Sequence, residues 1–332
     1  MSELRQGRSR LRSVPSSGSE PLARPNPESV LRRLEWTVIR RLDGLLQGDY
    51  RTLFRAFGLD LADLREYQFH DDVRHIDWNV TARLQTPYVR EYYADREVTA
   101  WFLLDLSGSV DFGSGAVRKR ALSTELVGVL GRLLTRHGNR VGAVLYSDEV
   151  DAVIPARAGR RHVLHLIDRM LQPARARRGS ETKLGALLEA AHKLIKRRSV
   201  IFVVSDFIST PGWERAIALL ARRHEVLSVR LYDPLEIELP DLGLIAMQDA
   251  ETGEQLLVDT RDARFRRRFA QGAERREAAL RRALAEAGVD CLELATDDDL
   301  LAALMRFVGL RKRRSQLAGG GVSPARVPTA RP

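Results

Sequence analysis

The chain has 332 residues, 44% of them hydrophobic and 30% charged, with a net charge of +10 and a single cysteine, Cys291. That length holds a full α/β core with a smaller unit beside it, and one cysteine excludes an intramolecular disulfide, which fits a reducing compartment. The opening residues are polar, Arg-rich and Pro-rich, and the longest apolar runs, around Trp101–Leu106 and Val200–Val204, fall far short of the ~20 residues that span a bilayer, so the expectation is a cytoplasmic protein.

The location of the charge matters more than its sum. Residues 1–33 carry seven arginines against three glutamates, and 311–332 carry six basic residues and no acid, so 34–310 is formally neutral. A fold that tracks a phosphate backbone is expected to be basic in its body. The basic ends therefore read as solubilising tails, with binding of DNA or RNA through them as an alternative.

Residues 1–26, rich in Arg, Ser, Gly and Pro without periodicity, read as a disordered tail. From Pro27 a helix is expected, because Val30, Leu31, Leu34, Val38, Leu42, Leu45 and Leu46 recur at three- and four-residue spacing until Gly48-Asp49. Short strands are expected at Tyr50–Phe57, Leu59–Tyr67 and Tyr88–Tyr93, around the cluster Asp71-Asp72-Val73-Arg74-His75-Ile76-Asp77-Trp78. Residues 27–97 thus read as a helix and a small β-rich unit. In the cluster, Ile76 and Trp78 are expected to pack against the main domain and Arg74 to pair with Asp77; the alternative is a partner-docking surface.

From Val98 the pattern becomes strand–helix alternation. Buried-type runs lie at Val98–Leu104, Val141–Tyr146, Val200–Val204, Val226–Leu231 and Asp290–Leu294, with amphipathic segments at 117–137, 160–171, 183–197, 212–223, 261–287 and 298–309. This predicts an α/β domain over 98–310 with a mainly parallel sheet flanked by helices. Val150–Ile154 reads as an added edge strand, and 235–258 as a local hairpin built from Leu235–Leu239, Leu244–Met247 and Gln255–Val258. Residues 311–332 read as a second disordered basic tail.

In open parallel sheets, ligands sit at the carboxyl ends of the strands near a topological switch point. The first strand of the alternation runs straight into Asp105, Ser107 and Ser109, and extended residues two apart point to one side. A second loop, Gly179-Ser180-Glu181-Thr182, offers the Thr182 hydroxyl, and a third, Ser205-Asp206, another carboxylate after the strand Ile201–Val204. Oxygen-only ligands suit a hard divalent cation such as Mg²⁺ or Mn²⁺. Taken alone, the Asp-x-Ser-x-Ser string is equally well read as a helix cap.

The ordered set resembles the metal-ion-dependent adhesion site of von Willebrand factor A domains. Carried over by position, that resemblance implies Asp105, Ser107, Ser109, Thr182 and Asp206 as metal ligands and a Rossmann-type sheet. Gly48-Asp49-Tyr50-Arg51, Leu64-Arg65-Glu66-Tyr67, the Asp71–Trp78 string, Ala82-Arg83, Val89-Arg90-Glu91, Arg140-Val141-Gly142 and Asp233-Pro234-Leu235-Glu236-Ile237-Glu238-Leu239-Pro240 narrow it further. They resemble the "domain of unknown function 58" (DUF58) family over roughly 48–310. Members are often encoded beside MoxR-type AAA+ ATPases, which implies a partner or adaptor role in a chaperone-like system. Two residues depart from the family pattern: Lys183 follows Thr182 where Asp is usual, and His70 precedes Asp71-Asp72 where Gly is usual.

Catalytic signals are weaker. A hydrolase would need an activated water and a nearby base, and no His accompanies the motif. His137, His162 and His165 fall in helical stretches, without a third zinc-type ligand for the last two. The Gly113-Ser114-Gly115 turn has Arg118 where the dinucleotide fingerprint needs Gly. No phosphate-binding loop and no nucleophile elbow occur, and Cys291 reads as a core residue. The expectation is a non-catalytic, metal-dependent protein-interaction module; the alternatives are a metal-dependent hydrolase and a vestigial, metal-free site.

Overall fold

The uninterrupted apolar runs become the central strands of one sheet. The computed structural model describes residues 25–42, 63–68, 73, 76, 81, 86–91, 98–115, 117–173, 182–248 and 255–318. In chain order the elements are α1 (Pro27–Leu34), β1 (Asp63–Glu66), β2 (Tyr88–Glu91), β3 (Thr99–Asp105), α2 (Lys119–Arg136), β4 (Arg140–Tyr146), β5 (Val150–Arg157), α3 (Arg160–Leu171) and α4 (Leu184–Leu194). There follow β6 (Val200–Ser205), α5 (Trp213–Ala221), β7 (Glu225–Tyr232), β8 (Leu244–Gln248), β9 (Gln255–Asp259), α6 (Ala263–Glu286), β10 (Asp290–Ala295) and α7 (Leu300–Ala318).

Six strands form a sheet in the order β10-β7-β6-β3-β4-β5, parallel except for β5, which pairs antiparallel with β4 at the edge. From β3 the chain winds outward through β4 and β5, then returns to the other side of β3 and winds outward again through β6, β7 and β10. The switch point of this doubly wound order lies between β3 and β6, where the crevice at the carboxyl ends opens.

Both faces are covered, which is why β3 and β6 read as continuous apolar runs. Ala100, Phe102 and Leu104 join the core shared with α1, α2, α3 and α7, while Leu103, Ile201 and Val203 join the core shared with α4, α5 and the end of α6. Phe102 and Phe202 stack across β3 and β6 with ring centroids 5.1 Å apart. On β4, Gly142 leaves room for the Trp101 ring: a Cβ there would stand 2.8 Å from it and 3.1 Å from the Ala156 backbone nitrogen. Gly142→Ala is expected to destabilise the protein by about 1–3 kcal/mol, the usual range for overpacking a filled site. Chemical denaturation measures it.

Three sequence expectations change. The N-terminal helix packs on the main domain: α1, continued through a π-type turn at Glu35–Ile39, buries Leu31, Leu34 and Leu42 in the main core. Glu28 binds Arg160, and Glu35 binds Arg132. Leu235–Leu239 is not a strand, because Pro234–Ile237 forms one helical turn, with Asp233 and Glu236 closing a capping box. The basic C-terminal segment is helical as far as Ala318, and Arg311 pairs with Asp290 at 2.7 Å and with Glu225 at 3.2 Å. β1 and β2 pair antiparallel, and β8 with β9 makes the expected hairpin. The expected strand Tyr50–Phe57 lies outside the described residues, as do His70, Asp71, Asp72, Arg74, His75, Asp77 and Trp78.

Candidate functional site

β3 ends on Asp105, fully buried at the switch point. Its Oδ1 accepts from the Ser107 backbone N–H at 3.0 Å and its Oδ2 from the Ser205 hydroxyl at 2.7 Å. The chain then turns through a 3-10 segment, Gly108–Asp111, which brings the buried Ser107 and Ser109 hydroxyl oxygens to 3.2 Å from each other. Three strands later in sequence but adjacent in the sheet, β6 delivers Ser205 and then Asp206 to the same edge.

Phe207, directly after Asp206, has φ of +58°, an uncommon conformation for a bulky residue that clusters near functional sites. Its N–H donates to the Ser205 hydroxyl at 2.9 Å, and its ring meets Trp213 edge-on at 5.3 Å. The Ile208 N–H donates to Asp206 Oδ1 at 3.0 Å. The buried Thr182 is tied to this loop through its carbonyl, which accepts from the Ser209 hydroxyl at 2.9 Å and the Thr210 N–H at 3.0 Å. The structure therefore brings Asp105, Ser107, Ser109 and Asp206 to one edge of the sheet and fastens Thr182 to the loop that carries Asp206. Lys183 is exposed, and Gly179, Ser180 and Glu181 lie outside the described residues.

Burial, and then the neighbouring charge of Asp206, push the Asp105 carboxyl up to about 6, against the hydrogen bonds from Ser107 and Ser205 that favour its ionised form. Among the described residues no basic side chain bonds to Asp105. At Asp206 the situation differs, because of a residue the sequence reading passed over. Lys119, the first residue of α2, is 0% exposed, and its ammonium donates to Asp206 Oδ2 at 2.8 Å and Glu236 Oε1 at 2.7 Å. Burial works against its charge, but the two carboxylates outweigh that and hold its pKa above the usual value.

The network continues away from Lys119. Glu236 Oε2 accepts from the Asp233 N–H at 2.9 Å. Asp233, itself buried, accepts from the Ser114 N–H at 2.8 Å, the Ser114 hydroxyl at 2.6 Å, the Thr296 hydroxyl at 2.7 Å and the Leu235 N–H at 3.0 Å. Burial raises its pKa, and these donors together more than reverse that. The Gly113-Ser114-Gly115 turn thus serves Asp233. One buried ammonium, that of Lys119, thus serves Asp206 and Glu236, while Asp105 and Asp233 are held by hydroxyl and backbone donors.

Other candidate chemistry lies elsewhere. A ring nitrogen of His162 contacts the Val141 carbonyl at 2.7 Å, near the start of β4, and His137 and His224 precede β4 and β7, all at the opposite end of the strands from Asp105. Among the described residues no three His, Cys, Asp or Glu side chains form a metal-type cluster, whereas the ligand set expected here is two carboxylates and three hydroxyls. A cavity of about 400 Å³ beside α6, lined by Ile237, Glu238, Arg267, Gln271 and Glu274 among others, includes none of the expected ligands. The Cys291 thiol is pushed up to about 12 by burial, which fits a core residue.

Residues 63–279 match the family described as "Protein of unknown function DUF58". The uncharacterized protein Rv1480 of Mycobacterium tuberculosis (strain ATCC 25618 / H37Rv) is 37% identical over 295 residues, covering 89% of this chain and 92% of that protein. An uncharacterized protein in the moxR 3′ region of Paracoccus denitrificans is 39% identical over 105 residues, covering 31% of this chain and 99% of that protein. Among solved structures, an aerotolerance-related membrane protein from Bacteroides fragilis NCTC 9343 is similar with a TM-score of 0.39 and 12% identity, over 66% of this chain and 99% of that one. The expectation of a cytoplasmic protein is corrected on this point. A structural neighbour is by name a membrane protein, and the absence of a helix long and apolar enough to cross a membrane, among the described residues, does not assign a compartment.

Proposed function

The chain belongs to the DUF58 family, and from that premise we propose that it is a metal-dependent protein-interaction module of von Willebrand factor A type, acting without catalysis as partner or adaptor of a MoxR-type AAA+ ATPase. The observation that carries this reading is the buried, electron-rich edge at the switch point. There the Asp105 carboxyl is forced up toward neutrality by burial and by Asp206, with the Ser107 and Ser109 hydroxyls converging beside it.

Such a donor set fits a hard divalent cation, Mg²⁺ or Mn²⁺. Asp105, Ser107, Ser109, Thr182 and Asp206 would hold it, and each carboxylate oxygen of the two aspartates has lone-pair capacity beyond the single hydrogen bond described for it. A cation there supplies an electropositive face for an acidic group of a partner protein. The carbonyl bonds from Ser209 and Thr210 keep the Thr182 and Asp206 loops in register, and Lys119 fixes the Asp206 carboxylate. The non-catalytic reading draws on the engagement of the Asp206 and Glu236 carboxylates by Lys119. The relative in a moxR 3′ region supports the choice of partner.

Calorimetric titration of Mg²⁺ and Mn²⁺ tests the site. One-site binding by the natural protein, lost in Asp105→Ala, is the expected result, followed by metal-dependent retention of a MoxR-type ATPase. Equal heats for both proteins would overturn the metal site, and retention of the ATPase unaffected by a chelator would overturn its role.

A further inference from the structure

The neutral sum over 34–310 conceals an uneven distribution, since α6 alone holds eight arginines against three glutamates. The packing of the helix decides which of them are available. Its inner face buries Ala273 and Leu284, with Leu280 and Ala283 packed against the core. Arg281 pairs with Glu277 and Glu293, and Arg266 donates to the carbonyls of Thr260 and Arg261. Arg267 donates to the Ala263 carbonyl and Arg276 falls on the flank of the helix, which leaves Arg264, Arg268, Arg275 and Arg282. They recur every four, seven and seven residues and so lie along the opposite face, over about 27 Å at 1.5 Å per residue. All four are exposed, and none makes an ion pair with a described residue.

A second, independent feature adjoins this row. The β8–β9 hairpin leads directly into α6 and leaves Leu244, Leu256 and Leu257 63%, 64% and 66% exposed, with Leu242 also exposed. Its base is fastened to the start of the helix. The Thr260 N–H and hydroxyl both donate to the Gly243 carbonyl, the Leu242 N–H donates to the Thr260 hydroxyl, and the Arg261 guanidinium lies 3.6 Å from where a Cβ on Gly243 would stand.

A straight row of cations beside a hairpin that bares leucines on both faces, Leu244 and Leu257 on one and Leu256 on the other, matches the boundary of an anionic bilayer, where headgroup charge meets guanidinium and the acyl edge accepts apolar side chains. A nucleic acid would engage the arginines and leave the leucines in water. We infer that α6 and the β8–β9 hairpin form a docking surface for anionic lipid, on which the protein sits peripherally. This surface uses none of the five expected metal ligands and needs no metal.

Co-sedimentation of the full chain tests it, with vesicles of phosphatidylcholine alone and of phosphatidylcholine mixed with phosphatidylglycerol. The expected result is salt-sensitive binding to the mixed vesicles only. It should weaken at least about tenfold when Arg264, Arg268, Arg275 and Arg282 are all changed to Glu, since each basic residue near such a surface contributes about fivefold. Leu256→Ser with Leu257→Ser, at positions already in water, is expected to weaken it as well. Circular dichroism checks that both variants stay folded. No binding to the mixed vesicles, binding unchanged in the arginine variant, or tighter arginine-dependent binding to a duplex oligonucleotide than to vesicles would each overturn the proposal.

Discussion

Lys119→Met is expected to lower stability by about 3–5 kcal/mol, the usual result of removing one partner from a buried ion pair. Methionine fills much of the same unbranched volume, so the loss reports charge more than packing. Without the ammonium, Asp206 and Glu236 stay buried with no cation between them, although they retain the backbone donors Ile208 N–H and Asp233 N–H. Urea denaturation in a chelator measures the loss. Repeating it with Mg²⁺ should show a larger gain for the variant than for the natural protein, because a ligand stabilises the folded state in proportion to its affinity for it and Asp206 would no longer be shared with Lys119. Stability unchanged in the chelator would mean that the ion pair does not hold this edge together. Should Lys119→Met not fold, Glu236→Gln is the milder probe: it removes one of the two carboxylates and leaves Lys119 paired with Asp206.

How much of this was legible from the residues depended on whether the signal was local. Val200–Val204 and Val98–Leu104 announced central strands because both faces of a parallel sheet are buried and every residue is apolar. Asp105, Ser107 and Ser109 were readable from one loop, and the chain order of Thr182 and Asp206 completed a pattern. Lys119 was not readable, since a lysine opening an amphipathic helix is ordinarily solvated and only the fold brings it to Asp206 and Glu236. Glu236 was hidden because Leu235–Leu239 alternates like a strand. Asp233-Pro234 followed by Glu236 was a capping-box signal with proline at the first helical position, and it pointed to the turn that forms. The α6 arginines were lost in a charge total: Arg264, Arg268, Arg275 and Arg282 are balanced by acids elsewhere in 34–310, and only the helical period gathers them on one face. The end of the domain was placed at Leu310 by charge, but Arg311 is bound to Asp290 and Glu225, so a basic residue there marks packing of α7 and not the start of a tail.

Asp105→Asn should abolish metal binding and yet stabilise the protein in a chelator. The carboxyl has an ordinary value of 3.8 and is pushed up to about 6 in the folded chain, first by burial and then by Asp206. A folded-state value above the unfolded one means that the fold favours the protonated form. Between about pH 3.8 and 6 the folded state therefore binds more protons than the unfolded state, and stability falls as pH rises through that window. Above it the ionised carboxylate costs about 3 kcal/mol at most, the free energy equivalent of that displacement. Asparagine is nearly isosteric, keeps a carbonyl oxygen to accept from the Ser107 N–H, and carries no charge to desolvate or to repel Asp206. The difference in stability between Asp105→Asn and the natural protein, measured in a chelator, should be near zero below about pH 4 and should favour the variant by about 1–3 kcal/mol at pH 7. Mg²⁺ should narrow that gap by stabilising the natural protein alone. A variant no more stable at pH 7 than its parent would show that the Asp105 carboxylate is not under electrostatic strain, and would remove the physical reason for expecting a cation at this edge.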